Sequence, residues 1–427
     1  MITSLAFAGK TYGVFGLARS GVAAAAALRA SGATVFNWDD SEAARAAFAG
    51  DLTNLHDFDL ASLDALVVSP GVPHSASLFQ KALAAGIPVI GDIEIFAQAR
   101  QSLPPARVVG ITGTNGKSTT TALVHHILVA AGRNARMGGN IGLPILSEAP
   151  LPAGGVYVLE LSSYQLELTY SLDCEVAVLL NITPDHLERH GSMARYAAAK
   201  ARLFAMQSPG RAAIVGALAE ADFDVLEGGE DPVVSFIEDV RLGAQADWPA
   251  LQGPHNLQNA RAAAAACTSL GVTDAEIAAG LASYPGLAHR MERIATHSDV
   301  LYVNDSKATN ADSAAPALAA FPNTHWIAGG RAKLTPDGSV DLSAIMPHLG
   351  NLRAVYLIGE AAAVFQPLLS SKLPVVMAGT LAAAVAAAAA AARPGETVLL
   401  SPACASFDQF RDFEHRGDAF RALVEAL

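Results

Sequence analysis

Short runs of apolar, often β-branched residues alternate along this chain with longer stretches rich in alanine. Such runs predict buried strands, and the alanine-rich stretches between them predict helices. The strands predicted in this way span residues 13–15, 34–37, 65–69, 107–111, 156–161, 176–181, 212–215, 301–304, 324–328, 354–358, 375–378 and 397–400. Strands that alternate with helices predict an α/β fold in which helices cover parallel sheets.

Two segments of the chain resemble linkers between domains. One lies near residues 96–106, where the polar, proline-containing sequence QSLPPAR begins, and the other lies near residues 285–290. They divide the chain into three predicted α/β domains, residues 1–95, 96–287 and 288–427. Each of these lengths is within the usual range for a domain.

Composition and charge narrow the class of protein. Hydrophobic residues make up 52% of the 427 residues, which is enough for large cores, and the net charge of −12 argues against a nucleic-acid partner. Cys174, Cys267 and Cys404 are far apart and show no CxxC spacing, which argues against disulfides and structural zinc. The N-terminal MITSLAFAGK lacks a charged n-region, and no apolar run is long enough to cross a bilayer. We therefore expect a cytoplasmic protein with no membrane partner.

A candidate phosphate-binding loop, TGTNGKST, follows the predicted strand 107–111. Its glycines would let the backbone wrap a phosphate at the start of a helix, where free N–H groups favour anions. The candidate residues for binding ATP here are Gly113, Thr114, Asn115, Gly116, Lys117, Ser118 and Thr119. Lys117 would reach the β- and γ-phosphates, and the Ser118 hydroxyl would hold Mg²⁺. The general P-loop pattern has a glycine where Ile111 stands, so a glycine-rich strand–helix turn is the alternative.

The loop sequence resembles that of the Mur ligase family, and the resemblance extends over essentially the whole chain. Further matching segments are GGNIG at residues 138–142, LELSSYQL at 159–166, NITPDHL at 181–187, the segment 196–200, GPHNLQNA at 253–260 and HR at 289–290. The resemblance implies a Rossmann-like N-terminal domain, a central P-loop NTPase-like domain with a parallel sheet and a Rossmann-like C-terminal domain.

Two segments in the third predicted domain resemble the D-glutamate-adding branch of that family. They are NDSKATN at residues 304–310 and LSPACASFDQF at residues 400–410, and the DNPR motif of the diaminopimelate-adding members is absent. The resemblance implies a monomeric ligase of peptidoglycan precursor synthesis, whose small-molecule substrates are ATP, D-glutamate and UDP-N-acetylmuramoyl-L-alanine. The reaction would pass through an acyl phosphate and give ADP and phosphate.

The resemblance also implies the roles of individual residues. The catalytic group comprises Lys117, Asn140, Glu160, His186, Lys200 and Lys333, and two Mg²⁺ ions would be held by Ser118, Glu160, His186 and a CO₂-derived carbamate on Lys200. Further ATP contacts would come from Asn256, Asn259, Arg290 and Asp305, and the UDP-substrate would contact Arg19, Ser20, Gly71 and Asn140. D-Glutamate would contact Lys307, Thr309, Ser406, Phe407 and Phe413.

Simpler interpretations exist for several of these residues. Glu160 would be a strand-end carboxylate facing water, Lys200 a surface lysine on a helix, and Lys333 part of a glycine turn. Asn256 is compatible with helix capping as well as with nucleotide binding. The segment DDS at residues 39–41 lacks the arginine that the family has after its second strand.

Three other functions compete with this interpretation. GVFGLARSG at residues 13–21, with Asp39 downstream, suggests a nicotinamide-dependent oxidoreductase, although its glycines do not fit GxGxxG. Another Mur-type or folylpolyglutamate ligase would share the phosphate loop. A non-catalytic nucleotide-binding regulator would not need Glu160, His186 and Lys200 together.

Overall fold

The computed structural model describes residues 1–216, 233–335 and 338–427. Its internal contacts divide the chain into two compact units. The first unit comprises Met1–Gly243 and Gln258–Ala282, and the second comprises Ala244–Leu257 and Ser283–Leu427. Within the described ranges, no helix is both long enough and apolar enough to span a membrane.

The first unit begins with a four-stranded parallel sheet whose order is β2-β1-β3-β4. Its strands are β1 (Thr11–Phe15), β2 (Thr34–Trp38), β3 (Ala65–Val68) and β4 (Val89–Ile90). The helices that follow them are α1 (Arg19–Ala30), α2 (Glu42–Ala47), α3 (Ser77–Ala84) and α4 (Asp92–Ala99).

A six-stranded parallel sheet of order β10-β9-β8-β5-β7-β6 completes the first unit. Its strands are β5 (Arg107–Thr112), β6 (Ala135–Gly139), β7 (Val156–Glu160), β8 (Val176–Leu179), β9 (Ala212–Val215) and β10 (Val233–Phe236). The helices of this part of the chain are α5 (Lys117–Ala130), α6 (Ser163–Glu167), α7 (Leu187–His190), α8 (Met193–Ala205), α9 (Pro254–Ser269) and α10 (Asp274–Ser283).

The second unit contains a six-stranded sheet of order β11-β12-β16-β13-β14-β15. Its strands are β11 (Glu292–His297), β12 (Val300–Asn304), β13 (Thr324–Gly329), β14 (Leu352–Ile358), β15 (Val375–Gly379) and β16 (Thr397–Leu400), and only β11 pairs in antiparallel fashion among the described strands. Its helices are α11 (Ala311–Ala320), α12 (Ala362–Leu369), α13 (Leu381–Ala391) and α14 (Phe413–Glu425).

The predicted α/β class and the parallel sheets are confirmed. Each of the predicted strands overlaps an observed one, with ends that differ by no more than two residues. The strands β4, β6, β10 and β11 were not predicted. β4 has only two residues, and β6 has the sequence Ala-Arg-Met-Gly-Gly. β11 is polar and partly exposed. These three strands therefore lack the apolar run that predicts a buried strand.

The two sheets of the first unit share one hydrophobic core. Val14 of β1, Phe96 of α4 and Tyr157 of β7 belong to the same cluster of buried side chains. The rings of Phe96 and Tyr157 meet edge to face, with their centroids 5.0 Å apart. The predicted boundary after residue 95 falls inside α4. Both predicted domain boundaries remain predictions.

Candidate active site

The phosphate loop, Glu160 and Asn140 lie at the carboxyl ends of three neighbouring strands of the second sheet. β5 lies between β7 and β8, and β6 pairs with β7. The phosphate loop follows β5, Glu160 is the last residue of β7 and Asn140 follows β6. Because the carboxyl ends of parallel strands meet at the same edge, segments far apart in sequence come together there.

The phosphate loop has a backbone that only glycine accommodates at two positions. Gly113 and Gly116 have φ values of 150° and 86°, and a Cβ on Gly116 would lie 2.2 Å from Oδ1 of Asn259. The backbone N–H of Lys117 then opens α5, a helix of 14 residues, with Ser118 buried in its first turn. The backbone N–H groups of the loop therefore lie at the N-terminus of a helix. The helix dipole favours an anion such as phosphate at this position.

Asn181 fixes the phosphate loop from the neighbouring strand. Its backbone carbonyl accepts the N–H of Thr114 at 2.9 Å, and its Oδ1 accepts the N–H of Asn115 at 2.8 Å. The hydroxyl groups of Thr114 and Tyr196 are 3.1 Å apart. Sequence reasoning assigned no role to Asn181, although the matching NITPDHL segment begins with it.

Two lysines converge on one carbonyl group of this loop. Lys117 Nζ donates to the carbonyl oxygens of Gly113 at 2.9 Å and Thr114 at 2.7 Å, and Lys200 Nζ donates to that of Gly113 at 2.8 Å. Lys200 is only 1% exposed, so the interpretation as a surface lysine is wrong. Burial, and secondarily the charge of Lys117, hold the pKa of the Lys200 amine well below its ordinary value.

Glu160 and Asn140 form a pair beside the loop. Asn140 donates its backbone N–H to the Glu160 carbonyl at 2.8 Å and its Nδ2–H to Glu160 Oε1 at 2.9 Å. Glu160 is 2% exposed, which rules out the interpretation as a carboxylate facing water, and its Oε2 is buried with no hydrogen-bond partner among the residues that the structure describes. A buried carboxylate oxygen with no donor is the kind of ligand that Mg²⁺ takes.

His186 lies on the segment between β8 and α7 in a left-handed conformation, with φ 53°. Its Nδ1 is 3.0 Å from the Tyr164 hydroxyl and its Nε2 is 3.4 Å from Oδ2 of Asp185. The side chain is 43% exposed. In residues 1–216, 233–335 and 338–427, no three His, Cys, Asp or Glu side chains converge as a metal site.

A cavity of about 250 Å³ brings together all four residues predicted to contact the UDP-substrate. Arg19, Ser20, Gly71 and Asn140 line it, together with Pro70, Gly139, Gly142, Pro144 and Gln165. The Arg19 guanidinium donates to the carbonyl of Gly142. Gln165, which sequence reasoning missed, is held by a capping box with Ser162, and the spacing S-x-x-Q was the available signal.

The end of β2 carries a cation from further along the chain. Arg45 Nη1 donates to the carbonyl oxygens of Asp39 at 2.7 Å and Asp40 at 2.9 Å. Its guanidinium also stacks 4.7 Å from the ring centroid of Trp38. Asp39 accepts the backbone N–H of Leu17 at 2.6 Å. Arg45 therefore places a guanidinium group beside residues 39–41, a segment that itself contains no arginine.

In the second unit, Asp305 is buried at the end of the central strands. Its Oδ2 accepts the Ser401 hydroxyl at 2.7 Å and its Oδ1 accepts the N–H of Met291 at 3.1 Å. Burial raises the pKa of Asp305 to about 7, although both hydrogen bonds and Arg290 oppose the shift. Asn256 lies at the start of α9, where its Nδ2 donates to the carbonyl of Gln252 at 3.0 Å.

The residues predicted to bind D-glutamate lie on two segments of the second unit. Lys307 Nζ is 3.7 Å from the centroid of the Phe413 ring, which is a cation–π contact. Ser406 is buried, whereas Phe407 is 63% exposed. Thr309 is half-buried and Lys333 is exposed. The structure therefore joins Lys307 to Phe413 directly, and it leaves Phe407 and Lys333 with side chains in solvent.

These features define a class of protein, an α/β enzyme with a phosphate-binding loop, paired lysines and a buried carboxylate. Two family models match the chain: the Mur ligase middle domain at residues 111–228 and the glutamate ligase domain of Mur ligases at residues 289–404. The chain belongs to the Mur ligase family.

Full-length relatives agree with this assignment. The chain is 54% identical over 434 residues to a UDP-N-acetylmuramoylalanine–D-glutamate ligase of Novosphingobium aromaticivorans, covering 100% of this chain and 97% of the relative. It is 48% identical over 448 residues to the ligase of the same name from Zymomonas mobilis, covering 100% of both chains.

Solved structures of distant members share the fold. MurC of Thermotoga maritima has a TM-score of 0.60 at 16% identity, covering 98% of this chain and 99% of its own. MurF of the same organism, solved in complex with ADP, has a TM-score of 0.57 at 17% identity, covering 86% and 90%.

Proposed function

We propose that this protein is an ATP-dependent ligase that adds D-glutamate to UDP-N-acetylmuramoyl-L-alanine, giving ADP and phosphate. The observation that carries the proposal is the 54% identity, over the whole chain, to a relative named for this reaction. The proposal also draws on the phosphate loop, the buried lysine and the cavity of the first unit. It places the reaction in peptidoglycan precursor synthesis in the cytoplasm, with the protein acting as a monomer on small molecules.

The chemistry has two steps. The alanyl carboxylate attacks the γ-phosphorus of ATP, the bond to the β-phosphate oxygen breaks, and an acyl phosphate and ADP result. The amine of D-glutamate then attacks the acyl carbon, phosphate leaves, and the nitrogen loses a proton. Phosphoryl transfer depends mainly on positioning and charge neutralisation, which cations and backbone N–H groups supply.

Lys117 and the backbone of residues 113–119 would bind the phosphates of ATP in this proposal. Ser118, Glu160 and His186 would hold Mg²⁺, which supplies charge neutralisation when bound, and the partnerless Oε2 of Glu160 fits that role. Asn140 would orient the reacting carboxylate, because its amide is held by Glu160. The wall formed by Arg19, Ser20, Gly71 and Asn140 would bind the UDP-substrate.

Lys200 is suited to becoming a carbamate. Its amine is buried and its lowered pKa favours the neutral form, which is the form that attacks CO₂. The N–C bond forms, one proton is lost, and the product is an anion able to join Glu160 in binding Mg²⁺. The amine donates to the carbonyl of Gly113, so the carbamate would form beside the phosphate loop.

The remaining contacts belong to ATP and to D-glutamate. The proposed further ATP contacts are Asn256, Asn259, Arg290, Asp305 and Lys333, and the proposed D-glutamate contacts are Lys307, Thr309, Ser406, Phe407 and Phe413. Lys307 would pair with one carboxylate of D-glutamate. The Phe413 ring, which contacts the Lys307 ammonium group, would pack against the methylene groups of D-glutamate.

Two product measurements test this function. Mass spectrometry of the complete reaction should show a UDP-sugar heavier by one glutamyl residue with D-glutamate and none with L-glutamate. When hydroxylamine replaces the amino acid, the acyl phosphate should be trapped as a hydroxamate. A product with a different amino acid, or no hydroxamate from a protein that turns over, would contradict the proposal.

A further inference from the structure

Arg189 lies in the short helix α7, and its guanidinium group contacts three other residues. Nη1 donates to the carbonyl oxygen of Val72 at 2.8 Å. Nε and Nη2 each lie 3.4 Å from Oε2 of Glu167. The guanidinium carbon lies 4.3 Å from the centroid of the Tyr164 ring. The side chain is only 9% exposed, so these contacts are largely shielded from water.

Two of these contacts connect Arg189 to different parts of the candidate active site. Val72 follows Gly71, and Pro70 and Gly71 line the cavity that contains Asn140. The Tyr164 hydroxyl lies 3.0 Å from Nδ1 of His186. One guanidinium therefore touches both the loop that forms a wall of the cavity and the ring that contacts His186.

Glu167 anchors this arrangement. Its Oε1 is 3.3 Å from Nδ1 of the buried His190, and its Oε2 is 3.4 Å from Nε2 of His74 on the loop that carries Gly71. The arginine and the carboxylate thus connect the loop after β3 with α6 and α7. Hydrogen bonds that involve a charged group are stronger than those between neutral groups, and lysine poorly replaces a planar, stacked arginine.

We propose that Arg189 is a positioning residue that fixes the cavity wall at residues 69–74 and the His186 segment relative to each other. The substrate names used in its test rest on the proposed function. Removal of the guanidinium frees the loop, which weakens binding of the UDP-substrate. It also frees the Tyr164 ring, which lets His186 leave its place and slows turnover.

The kinetic test compares Arg189→Gln, Arg189→Lys and a control, Arg195→Gln, which changes an exposed arginine of α8. Arg189→Gln should raise the KM for the UDP-substrate about tenfold and lower kcat about tenfold, while the KM for ATP stays within about twofold. Arg189→Lys should recover only part of the loss, and Arg195→Gln should behave as wild type. Unchanged kinetics, or equal rises in both KM values, would overturn the proposal.

Hydrogen exchange gives a second measurement that does not depend on the identity of the substrate. Amides of residues 69–74 and 183–190 should exchange faster together in Arg189→Gln and in Glu167→Gln, and neither segment should change in Arg195→Gln. Faster exchange in residues 183–190 alone would refute the connection. If the wild type shows no turnover, the proposed function fails, whereas the exchange result still decides the role of Arg189.

Discussion

At the scale of single residues, two lysines share the carbonyl oxygen of Gly113. Two ammonium groups this close would repel each other, and burial relieves the conflict by favouring the neutral form of Lys200. Lys117 is only half-buried at the start of α5, so its ammonium group is accessible to a phosphate bound at the loop. The two lysines therefore differ: Lys200 has a strongly lowered pKa, and Lys117 is the candidate for binding phosphate.

Lys117→Ala should lower kcat by at least about a thousandfold, because a preorganised charge at the transferring phosphate is lost. The folded structure should survive, since the half-buried Lys117 side chain donates to two carbonyl oxygens of its own loop. Steady-state phosphate release and a thermal melt measure both effects. Lys10→Ala, which changes an exposed lysine, is the control, and turnover close to wild type in Lys117→Ala would refute the assignment of the phosphate loop.

Lys200→Ala should be inactive and should recover part of its activity in acetate or formate. A small carboxylate could take the place of the proposed carbamate and supply the same negative charge to the proposed Mg²⁺ site. Lys117→Ala should not respond to these anions, because it lacks a cation rather than an anion. A folded Lys200→Ala protein without any rescue would argue against a carbamate at this position.

Asp92, at the start of α4, should make stability depend on pH. Burial raises the pKa of its carboxyl to about 6 in the folded protein, against 3.8 unfolded. The stability from this group is therefore complete below about pH 4 and is lost as the pH rises through 6. As the pH rises from 4 to 8, the free energy of unfolding of Asp92→Asn should therefore increase by roughly 2–3 kcal/mol relative to that of the wild type. Thermal melts that differ by the same amount at pH 5 and pH 8 would contradict this.

The sequence could suggest the identities of these residues but not their surroundings. Lys200 lies within α8, whose sequence is rich in alanine with scattered polar residues, and which face of α8 is buried depends on packing against distant parts of the chain. Arg189 and Asn181 are single polar residues without periodicity, so their contacts become visible only when the strand ends meet. For the same reason the partnerless oxygen of Glu160 had no signal in the sequence.

At the scale of elements, the phosphate loop depends on the close approach of α9. Gly116 has φ 86°, and Asn259 lies so close that any side chain at 116 would collide with it. The sequence predicted the loop and the helix after it, because glycine spacing and the apolar strand are local signals. The sequence suggested only that Asn259 would contact ATP, because the contact of Asn259 with the loop depends on how α9 packs.

Gly116→Ala should weaken ATP binding by more than about tenfold, since the new methyl group forces the loop away from Asn259. Gly132→Ala, beyond the other end of α5, is a matched control because Gly132 also has a positive φ of 72°, but no atom of the described part of the chain lies within 4 Å of the added Cβ. Both variants should lose about 1 kcal/mol of stability from backbone strain. Calorimetric titration with ATP should separate them, and equal ATP affinities would show that the contact with Asn259 is unimportant.

At the scale of the whole molecule, three sheets are arranged in two compact units. The strand–helix alternation predicted the sheets because buried parallel strands are continuous apolar runs. The shared core of the first two sheets could not be predicted, because α4 reads as the start of a linker although Phe96 is fully buried. The cavity is lined by Arg19 and Gly71, which follow strands of the first sheet, and by Asn140, which follows a strand of the second.

ATP-dependent phosphate release by the purified protein tests the proposed ligase reaction. The reactions would contain UDP-N-acetylmuramoyl-L-alanine with D-glutamate, with L-glutamate or with no amino acid. We predict steady release only with D-glutamate. Release with L-glutamate alone, or no release in any of the three reactions, would contradict the account.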